Sequence, residues 1–425
     1  MVSRKKIGVL LPASHHYARI RHAVDLAVEQ AKKQYPGVEF VFRDTKADPI
    51  TAIEALEDLV LKEHVIAIVG PLRSDTSEIV ARHAEQFGVP MLSLSPRAGL
   101  PQSGENIFRV AMTATQQART IVDYAWDVQQ KRSFAILYPM HRYGEELAHA
   151  FWDEVERRGG WVAGVERYEH DQTSFRKHVR NLVGRYFLMY SKNHTRKCGH
   201  PHGLDCGRVR AAQKDETKQQ VDFDALFVPD YAKQAGMIAP TIPFEEVEID
   251  NGQPSTYRRV ARKERRSGKP VRMIQLLGAN GWNNKRLADI GGKWVENAVF
   301  CDGFYPDKDT SPAGALFAKQ YSDKYKRMPT TMEAYAFDAV GMITSVMQTD
   351  MPVDRDSLRR ALLKMDTYEG ATGKMSFDRQ GEMLNPLILL TLREGEIVPV
   401  GQFKPGEKPE IMTEKEMNQA ETPIN

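Results

Sequence analysis

Two serines stand where an apolar run gives way to a helix. Ser74 closes Gly70-Pro71-Leu72-Arg73-Ser74 after the segment Val65–Val69, and Ser95 opens Ser95-Pro96-Arg97 after Met91–Leu94. A hydroxyl beside the unpaired N–H groups of a helix start suits a carboxylate or another anion. The same serine, or Asp75, equally suits a helix cap, and Ser95 a turn before Pro96. Arg73 and Arg97 add positive charge beside them. Further along, Tyr143, Asp230, Tyr231, Asn280 and Trp282 each follow a predicted strand in the same way. An aromatic at Tyr143 either covers a ligand or heads a helix face, and Asn280-Gly281 is also a strong turn signal.

Other residues carry chemistry with less support. Cys198, His200, His202 and Cys206 fall within nine positions, a set that admits zinc, a Cys198–Cys206 disulfide or an unpaired loop. His15 and His16 are adjacent, so their side chains diverge, and they read as a polar loop. Arg258 to Arg266 is strongly basic; it reads as a solvated helix face or as a contact for phosphates, a lipid surface or an anionic glycan. The sequence has no Gly-x-Gly-x-x-Gly after a strand, no phosphate-binding Gly-x-x-x-x-Gly-Lys-Ser/Thr, no Gly-x-Ser-x-Gly and no His-Glu-x-x-His. No cofactor is expected, and the pattern reads as a binding module and not an enzyme.

The elements that must position these residues repeat a unit of apolar strand, polar loop and amphipathic helix. Strands are predicted at Ile7–Leu11, Glu39–Arg43, Val65–Val69, Met91–Leu94 and Ile107–Val110. A second series follows at Phe134–Tyr138, Trp161–Tyr168, Ala225–Val228, Arg272–Leu277 and Ala298–Asp302. Continuous Val/Ile/Leu runs alternating with helices imply parallel sheets buried on both faces, with ligands outside the carboxyl ends of the strands. Ile20, Ala23, Val24, Ala27, Val28 and Ala31 form one helix face; Ile79, Val80, His83, Ala84 and Phe87 form another; Thr51 with Glu54 reads as a capping box. Helices are expected near Pro312–Lys326, Thr331–Met347 and Asp354–Met365, then strands at Gly373–Asp378, Leu387–Arg393 and Glu396–Phe403. At 425 residues the chain exceeds one ordinary core. A net charge of +3 gives no reason to expect nucleic acid as a partner, and no apolar run is long enough for a transmembrane helix.

Taken in order, Ile7-Gly8-Val9-Leu10-Leu11-Pro12, Ile68-Val69-Gly70-Pro71, Val89-Pro90-Met91-Leu92-Ser93, Phe108-Arg109, Tyr143-Gly144, Ala334-Tyr335-Ala336-Phe337-Asp338-Ala339 and Gly373-Lys374-Met375-Ser376-Phe377-Asp378 resemble the type I periplasmic binding proteins, the leucine/isoleucine/valine-binding group above all. The resemblance spans about Lys6 to Gly401. It implies an α/β fold of two Rossmann-like lobes with parallel sheets joined by a three-segment hinge, closing on a small polar ligand between the lobes. On that pattern lobe 1 takes 1–115 and 306–368, and lobe 2 takes 116–305 and 369–403 with insertions near 185–221 and 245–270, leaving 404–425 as a flexible tail. The implied contacts are Arg73, Ser74, Ser95, Arg97, Tyr143, Asp230, Tyr231, Asn280 and Trp282. The family's small Ser-Gly pair after the first strand is replaced by the bulkier Ala13-Ser14-His15-His16-Tyr17. The same frame also resembles the penicillin-binding-protein activators, so a membrane transporter and a peptidoglycan synthase are the two expected partners. Either implies a periplasmic site or an outer-membrane anchor, although Met-Val-Ser-Arg-Lys-Lys lacks the apolar stretch of an export signal.

Overall fold

The repeated strand–helix unit builds two compact parts. The structure, a computed structural model, describes residues 5–184, 221–307, 311–403 and 410–411. Unit 1 takes the described residues through Thr113 together with Gly303–Ile388. Its sheet runs β2-β1-β3-β4-β5, with β1 at Lys5–Leu11, β2 at Val38–Asp44, β3 at Ala67–Val69, β4 at Met91–Ser93 and β5 at Ile107–Arg109. Every pairing is parallel. Ile7, Val9 and Leu10 are wholly buried because helices cover both faces, which is why β1 reads as one apolar run without alternation. On one face Leu10, Ile68 and Met91 pack with Leu56 of α2 (Pro49–Glu57) and with Val80 and Ala84 of α3 (Ser74–Gln86). Elsewhere α1 (Ala18–Gln34) buries Ile20, Val24, Ala27, Val28 and Ala31 and packs against the helix Thr331–Thr349.

Two local expectations change. The capping box at Thr51 and Glu54 is not formed, because α2 starts earlier: Asp48 caps it, accepting from the Thr51 N–H at 2.8 Å, with Pro49 in the first turn. The buried face of α3 is Thr76, Ser77, Val80, Ala81 and Ala84, while Ile79 is exposed.

Unit 2 takes Ala114–Asp302 and the described residues from Leu389. Its strands are β6 (Ser133–Pro139), β7 (Trp161–Tyr168), β8 (Ala225–Phe227), β10 (Met273–Leu277) and β11 (Val299–Asp302), and the short β9 (Glu248–Ile249) pairs with β10. The order β7-β6-β8-β10-β11 repeats that of unit 1: second, first, third, fourth, fifth. These pairings are parallel too. After α4 (Ala114–Asp123), Phe134, Phe151 and Phe227 meet in the core between β6, β8 and α5 (Arg142–Arg157).

The third crossing between units falls after Ile388 and not after residue 368, so 369–388 belong with unit 1. The physical reason is a set of buried polar bonds. The Asp338 carboxylate accepts from the N–H groups of Ala371 at 2.6 Å and Thr372 at 2.9 Å and from the Thr372 hydroxyl at 2.7 Å. Arg109 holds Glu382 through two bonds of 2.6 and 2.8 Å, and Phe108 meets the edge of Phe377. They fasten the small antiparallel sheet of β12 (Tyr368–Gly370), β13 (Gly373–Phe377) and β14 (Met383–Leu384). Then β15 (Leu387–Arg393), β16 (Glu396–Phe403) and β17 (Glu410–Ile411) extend the unit 2 sheet beyond β11. The rest of the predicted tail, like most of the insertion near 185–221, lies outside the described residues. The other insertion, 245–270, holds β9 and the helix Pro254–Ser267.

Candidate functional site

A sheet of this strand order opens a crevice between the loops leaving its first and third strands, because the chain departs in opposite directions on either side. In unit 1 those loops follow β1 and β3. Gly70 makes the β3 exit possible: its φ is +99°, and a Cβ there would sit 2.2 Å from the Leu10 carbonyl oxygen. The Pro71 carbonyl then accepts from the Leu94 N–H at 3.0 Å and the buried Ser93 hydroxyl at 3.2 Å, tying the β3 loop to the β4 loop.

That tie brings Ser74 and Ser95 together. The Ser95 hydroxyl donates to the Ser74 hydroxyl at 3.3 Å and accepts from the Arg97 N–H at 3.3 Å. Ser95 is buried and Ser74 half-buried in the first turn of α3. The two arginines are already engaged. Arg73 grips Asp75 through contacts of 2.5 and 3.1 Å and reaches the Tyr17 hydroxyl at 3.4 Å. The guanidinium holds the Asp75 carboxyl down to about 2. Arg97 pairs with Glu78. Tyr17 ends a single turn, His15–Tyr17, so the bulky segment after β1 stands beside Arg73. His15 is exposed.

In unit 2 the corresponding crevice is aromatic. Tyr143, in the first turn of α5, stacks on Tyr231 with ring centres 5.1 Å apart and planes 12° from parallel. The Tyr143 hydroxyl donates to Asn280 Oδ1 at 2.7 Å and accepts from the Gly281 N–H at 3.0 Å. Burial raises its pKa well above the ordinary phenol value, so it stays a neutral donor. Tyr231 is 53% exposed and offers ring surface to a ligand. Asp230 beneath it is 1% exposed. Its carboxylate accepts from the Tyr168 hydroxyl at 2.5 Å and the Tyr231 N–H at 2.7 Å, and His141 Nε2 lies 3.7 Å away. Burial pushes the Asp230 carboxyl up, and those three partners offset part of the rise.

Trp282 does not face the crevice. It is 1% exposed, its indole N–H donates to the Val228 carbonyl at 3.0 Å, and Gly278 gives it room, since a Cβ there would lie 2.2 Å from the ring. It belongs to the core beneath the loops. Asn280 is spent on positioning: besides Tyr143, its N–H donates to the Gln117 side chain at 3.0 Å.

Sequence reasoning missed His141 and Tyr168. His141 caps α5, accepting from the Gly144 N–H at 3.1 Å, an uncommon capping residue that composition rules pass over. Tyr168 ends β7, and only the fold brings it to Asp230. Cys198, His200, His202 and Cys206 lie outside the described residues. Among the described residues no group of three or more His, Cys, Asp or Glu is placed to hold a metal, and no helix is long and apolar enough to cross a membrane.

Residues 5–184 and 259–396 match the family described as periplasmic binding protein. Among solved structures, a putative branched-chain amino acid ABC transporter protein from Rhodospirillum rubrum superposes with a TM-score of 0.71 at 20% identity, covering 93% of this chain and 99% of that one. A solute-binding protein from Rhodopseudomonas palustris, in complex with 3,4-dihydroxybenzoic acid, gives 0.63 at 17% identity over 95% and 98%. At such identities these neighbours show the fold. Among curated proteins, the penicillin-binding protein activator LpoA of Yersinia pseudotuberculosis is 29% identical over 117 residues, 28% of this chain. Glutamate receptor 2.8 of Arabidopsis thaliana is 25% identical over 166 residues, 36% of this chain. The matched part spans 17% of the length of each of these two curated relatives.

Proposed function

The chain belongs to the periplasmic binding protein family and has its type I fold of two α/β lobes, and from that premise we propose that it is a solute-binding protein that captures a small polar, amino-acid-like ligand for an ABC-type transporter in the periplasm. The observation that carries the reading is the recurrence of one strand order with ligand-competent groups at the same crevice of each sheet. In this reading the solute's carboxylate accepts from the Ser74 hydroxyl and from N–H groups of the first turn of α3. In unit 2 the proposed solute contact is the exposed ring of Tyr231, with Tyr143 and Asn280 holding that ring wall. Arg73, Arg97, Ser95 and Asp230 act behind these contacts, setting charge and position. The role is capture and delivery, not catalysis.

A second reading has its own support. The similarity to penicillin-binding protein activators, and the internal pairing of Arg73 with Asp75 and Arg97 with Glu78, favour a cell-envelope regulatory protein that acts by contact with a peptidoglycan synthase.

A thermal-shift screen against amino acids, small peptides, nucleosides, sugars and anionic metabolites separates the two. A solute at a hundred times its Kd stabilises by about 2.7 kcal/mol. The expected rise in Tm is roughly 2–4 °C. A reproducible hit supports solute capture, whereas silence across the panel contradicts it and leaves the synthase contact.

A further inference from the structure

The helix Pro254–Ser267 carries Arg258, Arg259, Arg262, Lys263, Arg265 and Arg266 against one acid, Glu264. The fold sorts these cations into two sets. Arg259 and Lys263 turn inward to Glu248, which is 4% exposed; Arg259 reaches it at 2.7 Å. Arg258, Arg262, Arg265 and Arg266 are all exposed. At about 100° per residue they fall within an arc of roughly 100°, directed away from the buried Thr256 and Val260. Lys269, just beyond the left-handed cap at Gly268, is also exposed.

The acids near this helix are committed elsewhere. Glu248 holds the inner pair; Glu264 accepts from the Val271 N–H at 2.9 Å; Asp250 accepts from the Tyr257 hydroxyl at 2.6 Å. Among the described residues none forms an ion pair with the four outer arginines. Among the described residues the outer face is therefore a row of guanidinium groups without an ion-pair partner.

We propose that this row docks the protein on the phosphate headgroups of an anionic lipid bilayer. The choice of a bilayer over other polyanions rests on the envelope setting of the proposed function. Three features select this occupant. The row runs about 10 Å from Arg258 to Arg265 on a convex surface, so its charges diverge and match an array of phosphates, not one phosphate. Guanidinium groups bind phosphate oxygens in pairs. Within that arc the helix places only Ser255 beside its four arginines, so the stripe lacks the apolar centre that a protein interface requires. Attachment of this kind is peripheral and electrostatic, hence weakened by salt.

The test is co-sedimentation of the full chain with vesicles of phosphatidylcholine alone or mixed with phosphatidylglycerol, at low and high salt. A stripe variant carries Arg258→Gln, Arg262→Gln, Arg265→Gln and Arg266→Gln; glutamine keeps helix propensity. A control with the same charge change carries Lys32→Gln, Lys33→Gln, Lys319→Gln and Lys364→Gln in unit 1, all exposed. The wild type and the control are expected to pellet with phosphatidylglycerol vesicles at low salt and to release at high salt. The stripe variant is expected to bind at least about tenfold more weakly, with an unchanged Tm. Equal binding by wild type and stripe variant, equal binding to phosphatidylcholine alone, or tighter retention on duplex DNA than on vesicles overturns the proposal. The solute screen on the same preparations reads the other function separately: loss of solute response with vesicle binding intact leaves this proposal standing.

Discussion

The two units share a strand order and differ in what fills the crevice it creates. Unit 1 fastens its edge loops with charge and hydroxyl groups: Arg73 on Asp75, Arg97 on Glu78, Arg109 on Glu382, Ser95 on Ser74. Unit 2 fastens the equivalent loops with rings: Tyr143 on Tyr231 above, Trp282 below, and a buried Asp230 held by Tyr168. Topology decides where a ligand is met, and the loop residues decide what chemistry meets it. In this molecule one lobe offers donors for an anion and the other a ring surface.

Four experiments break or sharpen that contrast. The largest effect is expected from Trp282→Ala, which empties the core under the unit 2 loops and costs roughly 3–5 kcal/mol in a denaturant melt. A cost below about 1 kcal/mol would place the indole outside the core. Next comes the buried anchor of unit 1. Burial pushes Asp338 up to about 6, above its ordinary 3.8, against the bonds from Thr372 and Ala371 that favour its charge. A raised folded-state pKa means stability that is present at acid pH and lost as pH rises through the folded value. The stability of the wild type relative to Asp338→Asn should therefore improve by roughly 2.4 kcal/mol between pH 7 and pH 4, and a flat difference contradicts the assignment.

Smaller effects concern the solute. Ser74→Ala with Ser95→Ala should weaken binding roughly tenfold or more while leaving the melting temperature little changed. A large drop in Tm would make the hydroxyl pair structural. Tyr231→Ala should weaken binding by roughly two- to tenfold through the loss of ring contact, read by calorimetry. An affinity equal to wild type would remove the ring wall from the site.

Much of the frame was legible in the residues. Ile7–Leu11 lies within β1, and Thr331–Met347 within the helix Thr331–Thr349, because apolar periodicity reports burial directly. The positions of Ser74, Ser95, Tyr143 and Tyr231 at carboxyl ends of strands follow from the same periodicity and the rule for parallel sheets. Their partners do not. Trp282 looks like a loop aromatic until its bond to Val228 is seen, and Asp230 looks like a free acid until Tyr168, 62 positions away, covers it. The third crossing was misplaced for a like reason: Asp338 and Arg109 act on residues 33 or 34 and 273 positions downstream. The basic run reads either as a solvated helix face or as an anion contact, and only Glu248 divides it into an inner pair and an outer row.

The central claim is that the edge loops of each sheet carry solute-binding groups. Isothermal titration calorimetry of the strongest thermal-shift hit, into wild type, Ser74→Ala/Ser95→Ala and Tyr231→Ala, tests it most directly. The account predicts one solute per chain for wild type and weaker binding in both variants with that stoichiometry kept. Wild-type affinity in either variant would contradict the assignment of that loop to the solute.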